Sequence, residues 1–176
     1  MNTLDFIAHF ESLGDAVPFV CRMQETLGAI HLFEDFDAVE IACLASYMQC
    51  FRAPPGSEII REGEAGDFML LVLDGSVEIT KQDVRGQPQV ISTVGPGKTL
   101  GEMSLIDGEP RFASCVTLTV LEFAVLDRPS MSRLISEQPR LGVKLLMELL
   151  MLLNQRLRSV SAQLMDCMET RRSRIR

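Results

Sequence analysis

Hydrophobic and polar positions follow two different periods along the chain. Between Ile59 and Leu126 the apolar residues alternate with polar ones or form short runs, as in FMLLVL, SVEIT, QVISTV and SCVTLTV. Turn-forming segments such as EGEAGD, DVRGQ, GPGK and IDGEPR separate these runs. Many short strands at regular spacing predict a sandwich or a rolled barrel, and the lack of helical segments between them disfavours a parallel sheet. We therefore expect a mainly β fold with helices, of the α+β class, with the strands at about residues 52–127.

Helical periodicity precedes this β region. Residues 1–36 carry apolar residues at helical spacing, interrupted near Pro18, and predict an N-terminal extension of short amphipathic helices. Asp37 stands three residues before Glu40, the arrangement of a capping box. It predicts the start of a helix over AVEIACLASYMQC, which the Pro-Pro-Gly segment at Pro54 ends.

Two further helices are predicted after the β region, within residues 129–168. The second begins at Pro139 and runs to about Met168. Apolar residues repeat along it at alternating intervals of four and three, namely Leu146, Leu150, Leu153, Leu157, Val160, Leu164 and Cys167. This heptad seam predicts a homodimer through the helix at 141–168. The alternative is a helix that packs only on its own domain, and Leu145, Leu149 and Leu152 indicate that one face does so while the other meets a partner.

Composition and charge narrow the function classes. With 176 residues, of which 47% are hydrophobic, the chain can form one well-packed domain. The net charge of -7 disfavours binding to nucleic acid, which depends on many Lys and Arg contacts to phosphates. The segment 169–176 is a basic tail with four arginines, either a solubilising end or a docking tail for an acidic partner or a membrane surface.

The cysteines and the N-terminus indicate a cytoplasmic location. Five cysteines form no C-x-x-C pair, and their odd number fits a reducing compartment, with the thiols as small core residues. The N-terminal residues MNTLDFIAHFESLGD carry acids where a secretory signal needs positive charge. The apolar run LLMELLMLL at 145–153 is shorter than the roughly 20 residues of a membrane span. We expect neither targeting nor a transmembrane segment.

Candidate chemistry concentrates in GEMSLIDGEPRFAS, residues 101–114. Gly101 allows a ligand to approach the backbone closely, and the start of a short helix after it offers N–H donors. Arg111 can clamp a phosphate with two parallel hydrogen bonds, and the Glu102 carboxylate can accept from a sugar hydroxyl. A single strong cation suits a singly charged phosphodiester, and no P-loop sequence for a triphosphate is present. Taken alone, an Arg and a Glu in a loop form a surface ion pair more often than a ligand site.

The order EII, REGEAGD, FMLLVLDGSVEI and then GKTLGEMSLIDGEPRFAS resembles the cyclic nucleotide-binding domain family. The resemblance covers about residues 33–165 and places a domain at 37–168. It implies an eight-stranded antiparallel β-roll flanked by N-terminal helices and a long C-terminal dimerisation helix. It also implies these ligand-binding roles: Gly101 and Glu102 for the ribose 2′-hydroxyl, Arg111 for the cyclic phosphate, and the backbones of Met103, Ser104, Phe112 and Ala113 for the phosphate-binding cassette.

The resemblance favours cAMP over cGMP as the ligand. Members that prefer cGMP often carry Thr directly after the arginine, and here that residue is Phe112. Phe112 is also bulkier than the usual Ala, Ser or Thr, and we expect it to narrow the pocket. The function implied is a regulatory sensor that signals through its C-terminal helix to an unknown downstream protein.

Other function classes fit the sequence less well. A metal enzyme on a rolled β fold needs several histidines on its strands, but His9 and His31 are the only two and precede the roll. Neither Ser104 nor Ser114 has a histidine nearby in sequence to act as a general base, so we expect no catalytic residue, metal or cofactor. Direct DNA binding would require a helix-turn-helix after the long helix, where only about eight residues follow Met168. The remaining alternative is a dimerisation or docking module that keeps the fold and binds no nucleotide.

Overall fold

The structure is a computed structural model that describes residues 7, 9–28 and 36–173. In these residues nine strands form two antiparallel sheets, with five α-helices and a 3-10 helix around them. The strands are β1 Glu11–Asp15, β2 Gln49–Ala53, β3 Glu58–Ile60, β4 Phe68–Asp74, β5 Val77–Gln82, β6 Pro88–Val94, β7 Thr99–Leu100, β8 Ser114–Thr117 and β9 Leu121–Asp127. The helices are α1 Val20–Gly28, α2 Ala38–Ala45, α3 Glu102–Asp107, α4 Arg128–Glu137 and α5 Pro139–Ser173, with the 3-10 helix at Val17–Phe19.

The two sheets form an open β-roll. One has the strand order β1-β2-β9-β4-β7 and the other β3-β8-β5-β6. Every pairing is antiparallel. Eight of the strands, β2 to β9, lie within residues 49–127, so the predicted α+β fold with an eight-stranded roll is confirmed.

The buried strand β4 explains the continuous apolar run FMLLVL. Successive side chains of a strand point to opposite faces. Phe68, Leu70 and Val72 therefore pack in the core inside the roll. Met69 and Leu71 pack in a second core between this sheet and the helices. Polar residues do not alternate with apolar ones along β4, because both faces of the strand are covered.

The N-terminal extension differs in part from the predicted helices. Residues 11–15 form the edge strand β1, which pairs with β2. Gly14 has φ 83 and lies at a register shift of this pairing, a conformation that only glycine adopts without strain. Pairing with the open edge of β2 thus overrides the local helical period, although Ile7 and Phe10 are buried as the period requires. The parts of the prediction that fall on residues 1–6, 8 and 29–35 lie outside the described residues.

The helices after the roll begin where the sequence indicates. Pro139 is the first residue of α5, which is 35 residues long. Leu145 and Leu149 are fully buried on the domain, whereas the side chains from Leu157 to Glu169 are exposed. Before the roll, Asp37 and Glu40 form the predicted capping box of α2. The last three residues of the basic tail, 174–176, lie outside the described part of the chain.

The cysteines do not all belong to the core. All five are free thiols, and Cys50 and Cys115 are buried as predicted. Burial raises the pKa of both thiols to about 12. Cys21 and Cys167 are exposed, so their interpretation as core residues is wrong. The described helices include none with the length and apolar content needed to cross a bilayer.

Candidate functional site

The short helix α3 follows strand β7 and presents the candidate residues. Gly101 precedes it with φ 79 and Gly108 follows it with φ 76, so both ends turn through the left-handed region. The carbonyl of Ser104 accepts a hydrogen bond from Arg128 Nη2 at 2.8 Å. Arg128 is the first residue of α4, so this bond ties the site to the helices after the roll.

The loop between β3 and β4 holds the backbone of Arg111. Arg111 N donates to the carbonyl of Glu64 at 2.8 Å, and Gly63 N donates to the carbonyl of Arg111 at 2.9 Å. These bonds bring the EGEAGD segment against the RFAS segment, some 50 residues later. The loop thereby fixes where the arginine side chain starts.

The guanidinium of Arg111 lies inside the protein. Its Nη1 donates to the carbonyls of Phe68 at 2.8 Å and Gly101 at 3.0 Å. Its central carbon lies 4.2 Å from the centroid of the Phe68 ring, within cation-π distance. The whole residue is only 4% exposed, so the alternative of a surface ion pair does not apply to Arg111.

Gly66 and Gly101 leave room for this guanidinium. A Cβ on Gly66 would lie 2.0 Å from Nε of Arg111, and a Cβ on Gly101 would lie 2.6 Å from its Nη1. Both distances are far below van der Waals contact. The second glycine of EGEAGD is therefore required by the position of Arg111.

The carboxylate of Glu102 is buried as well, and it pairs with an arginine that the sequence analysis missed. Glu102 is 1% exposed, and its Oε1 accepts from Nη1 of Arg156. Nη2 of Arg156 donates to the carbonyl of Thr99 at 3.0 Å. Arg156 lies in the middle of α5. The available signal was a cation that interrupts the apolar seam between Leu153 and Leu157.

Both candidate residues keep one polar atom without a partner. Nη2 of Arg111 and Oε2 of Glu102 are buried and make no hydrogen bond to the described residues. Burial lowers the pKa of Arg111. Burial also raises the pKa of Glu102, although Arg156 and Arg111 oppose this rise. The site thus offers one buried donor for an anion and one buried acceptor for a hydroxyl.

Of the other predicted site residues, some are buried and others are exposed. Ser104 and Ala113 are buried, whereas Met103 is 43% exposed and Phe112 is 54% exposed. Lys81 Nζ donates to the carbonyl of Phe112 at 2.7 Å. The structure therefore brings the backbone segments 101–104 and 111–113 to one end of the roll, with the side chain of Arg111 between them.

A family model confirms the resemblance seen in the sequence. The model for the cyclic nucleotide-binding domain matches residues 50–138, half of the chain and nearly all of the roll. The chain belongs to the cyclic nucleotide-binding domain family. Both Glu102 and Arg111 lie within the matched region.

Curated relatives of this domain include a regulator from Mycobacterium tuberculosis. The chain is 29% identical over 148 residues to the CRP-like cAMP-activated global transcriptional regulator of that organism. The match covers 84% of the chain but only 64% of the relative, so the chain spans less than two thirds of its length.

Solved structures of the family show the same fold. A cyclic nucleotide-binding domain from Methylobacillus flagellatus superposes with a TM-score of 0.82 at 40% identity, covering 90% of this chain and 89% of that one. The regulatory domain of Toxoplasma gondii PKA, in co-crystal with cAMP, gives a TM-score of 0.64 at 26% identity, covering 82% of this chain and 51% of that one. The cyclic nucleotide-binding domain fold is therefore established for this chain.

Proposed function

We propose that this domain is a non-catalytic cAMP sensor that signals through α5 to a downstream protein. The single observation that carries the proposal is the pair of buried atoms without partners, Arg111 Nη2 and Glu102 Oε2. A buried polar atom without a hydrogen bond costs about 1–3 kcal/mol. A ligand that satisfies both atoms recovers this free energy on binding.

A cyclic nucleotide has the two groups that this site lacks. Its cyclic phosphate carries one negative charge and accepts from Arg111 Nη2. Its ribose 2′-hydroxyl donates to Glu102 Oε2, because an ionised carboxylate can only accept. The buried setting strengthens both bonds, since little water competes for either group.

Transmission to α5 uses the other oxygen of the same carboxylate. Oε1 of Glu102 holds Arg156, so the nucleotide and the long helix share one side chain. Occupancy of Oε2 and the position of α5 are then linked, and each influences the other with the same coupling free energy. The nucleotide shifts α5 only as far as it binds one helix position more tightly than the other.

We also propose that α5 pairs with α5 of a second copy. Leu157, Val160 and Leu164 of the predicted seam are each at least 60% exposed in the single chain, while Leu145 and Leu149 pack on the domain. This division between the two faces of α5 supports the homodimer. The free thiols support a reducing compartment such as the cytoplasm.

The decisive experiment is calorimetric titration of the purified chain with cAMP, cGMP and a cyclic dinucleotide. We expect cAMP to bind most tightly, because Phe112 lacks the hydroxyl through which Thr at this position would bond to guanine. Preference for cGMP would contradict the ligand assignment. No binding of any of the three would contradict the sensor itself.

The ion pair of Glu102 with Arg156 favours a second candidate, a docking module that binds no nucleotide. In that case Arg156 serves only to hold α5 in one position against the roll. Two results together would support this candidate. The parent chain would give no heat with cAMP, and the Arg156→Gln variant would no longer form a dimer.

A further inference from the structure

Phe112 places an exposed aromatic ring directly beside the buried Arg111. The ring is 54% exposed, whereas Phe51, Phe68 and Phe123 are at most 5% exposed. A single exposed apolar side chain is ordinary on a protein surface, so its neighbours decide what it can do. Its position next to the proposed phosphate site indicates a ligand.

Lys81 holds this ring in place. Its Nζ donates to Glu62 Oε1 and to the carbonyl of Phe112, both at 2.7 Å. The same Nζ lies 4.3 Å from the centroid of the Phe112 ring. A cation at this distance is attracted to the face of the ring. Lys81 therefore favours the present position of the Phe112 ring, although the ring is exposed.

Strand β5 places Lys81 on the inner side of the roll. Val77 and Ile79 pack with the core inside the roll and pair with the buried residues Thr117 and Cys115 of β8. Alternate residues of a strand share a face, so Lys81 continues this inner row toward the end where Phe112 lies. The cation thus supports the ring from inside the roll, and the rest of the ring remains available.

We infer that Phe112, supported by Lys81, stacks on the base of the bound cyclic nucleotide and determines which bases bind well. This inference rests on the proposed function, because Glu102 and Arg111 would hold the sugar and phosphate that all cyclic nucleotides share. The base is the remaining part of the ligand, a flat aromatic group that gains free energy from stacking on a ring. Larger purines stack better than pyrimidines, so the ring favours cAMP over cUMP.

The test compares cAMP and cUMP binding by calorimetry in the full chain and in the variants Phe112→Ala, Phe112→Tyr and Lys81→Met. We expect Phe112→Ala to weaken cAMP about five- to 150-fold, the range for loss of one base–aromatic stack, and to weaken cUMP less. Phe112→Tyr keeps the ring and should retain most of the cAMP affinity that Phe112→Ala loses. Lys81→Met keeps the stem without the charge and should lie between them.

A matched control is Leu118→Ala, because Leu118 is 47% exposed and directly follows the other end of β8. It should leave both affinities unchanged. Equal losses of cAMP and cUMP in Phe112→Ala would overturn the inference and leave Phe112 a support of the cassette. Tighter cAMP binding by Phe112→Ala would also overturn it and make the ring an obstruction. Failure of the parent chain to bind either nucleotide would instead contradict the proposed function.

Discussion

Arg156, in the middle of the long helix, donates to the carboxylate of Glu102, which lies 54 positions earlier in the chain. Glu102 is the first residue of α3 and Arg156 lies about halfway along α5. The pair therefore connects the proposed ligand site directly to the element proposed to carry the signal.

The Glu102 and Arg156 pair should appear as a coupling in unfolding experiments. Arg156→Gln leaves a buried carboxylate without its cation, and we expect the free energy of unfolding to fall by about 1–3 kcal/mol. In a Glu102→Gln background the same change should lower it by less, with a coupling of about 0.5–3 kcal/mol. Urea denaturation of the four proteins measures this. Arg158→Gln, an exposed neighbour on α5, is the control, and equal losses in both backgrounds would exclude the coupling.

Arg111 should dominate the affinity for the cyclic phosphate. Arg111→Ala removes one side of a desolvated charge pair, which costs about 2–5 kcal/mol and corresponds to roughly 30- to several-thousand-fold in affinity for cAMP. Calorimetry measures the change. Arg61→Ala, which removes an arginine with 55% side-chain exposure, should bind cAMP as the parent does. Unchanged binding by Arg111→Ala would place the phosphate elsewhere.

Gly66→Ala should weaken cAMP binding only because it displaces the side chain of Arg111. A Cβ at Gly66 would overlap Nε of Arg111, so Gly66→Ala must displace the guanidinium. We expect cAMP affinity to fall at least about tenfold, equivalent to 1.4 kcal/mol. Gly95→Ala is a matched control, since the nearest atom to its Cβ is a carbonyl oxygen at an ordinary 3.8 Å. Equal effects of the two changes would indicate a general loss of stability.

The affinity for cAMP should fall on acidification because of Glu102. Burial raises the pKa of this carboxyl above its ordinary 4.5. Protonation converts the acceptor for the ribose hydroxyl into a neutral acid, so binding weakens as the pH falls through the raised pKa. Calorimetry from pH 8 to pH 5 measures this, and Glu102→Gln should bind weakly without that dependence. A parent and a Gln variant with parallel pH profiles would exclude Glu102 as the titrating group.

The raised pKa of Glu102 has the opposite effect on stability, because it favours the folded state at low pH. A carboxyl whose pKa is higher in the folded state than in the unfolded state favours folding at low pH. This contribution is present below the unfolded pKa and is lost as the pH rises through the folded pKa. In the parent, this carboxyl should lower the free energy of unfolding as the pH rises through its folded-state pKa. In Glu102→Gln this decrease should be absent.

The exposed seam of α5 should assemble two copies. Glutamates at Leu157 and Leu164, which are 64% and 60% exposed, barely affect one chain but place charges in a coiled-coil core. We expect the parent to sediment as a dimer and the double variant as a monomer. In a parallel dimer in register, Cys167 would face its counterpart, so mild oxidation should cross-link the parent and not a Cys167→Ser variant. A monomeric parent would contradict the prediction that the seam of α5 forms a dimer.

Much of the fold could be predicted because local signals and tertiary packing agree. The capping box of Asp37 and Glu40 marks the start of α2, and Pro139 marks the start of α5. The apolar run of β4 and the turns around it indicate a buried strand. Strand β1 could not be predicted, because its pairing depends on the open edge of β2 and on no alternation of its own.

The candidate site could be proposed from the sequence only where its residues are neighbours in the chain. Glu102 and Arg111 stand in one short segment with a recognisable order. Arg156 comes from α5, and its contact depends on how that helix crosses the roll, which no local pattern specifies. The role of Gly66 likewise depends on a side chain 45 positions later, whose placement requires the three-dimensional structure.

Beyond Arg156, α5 continues to Ser173. Seventeen residues at 1.5 Å each make an arm of about 25 Å. If this arm rotates by about ten degrees about Arg156, its tip moves by about 4 Å, roughly the diameter of a methyl group. Under the proposed function, α5 is therefore a lever that amplifies a small adjustment at the Glu102 carboxylate with distance. The far end of the helix is the place to look for the largest response.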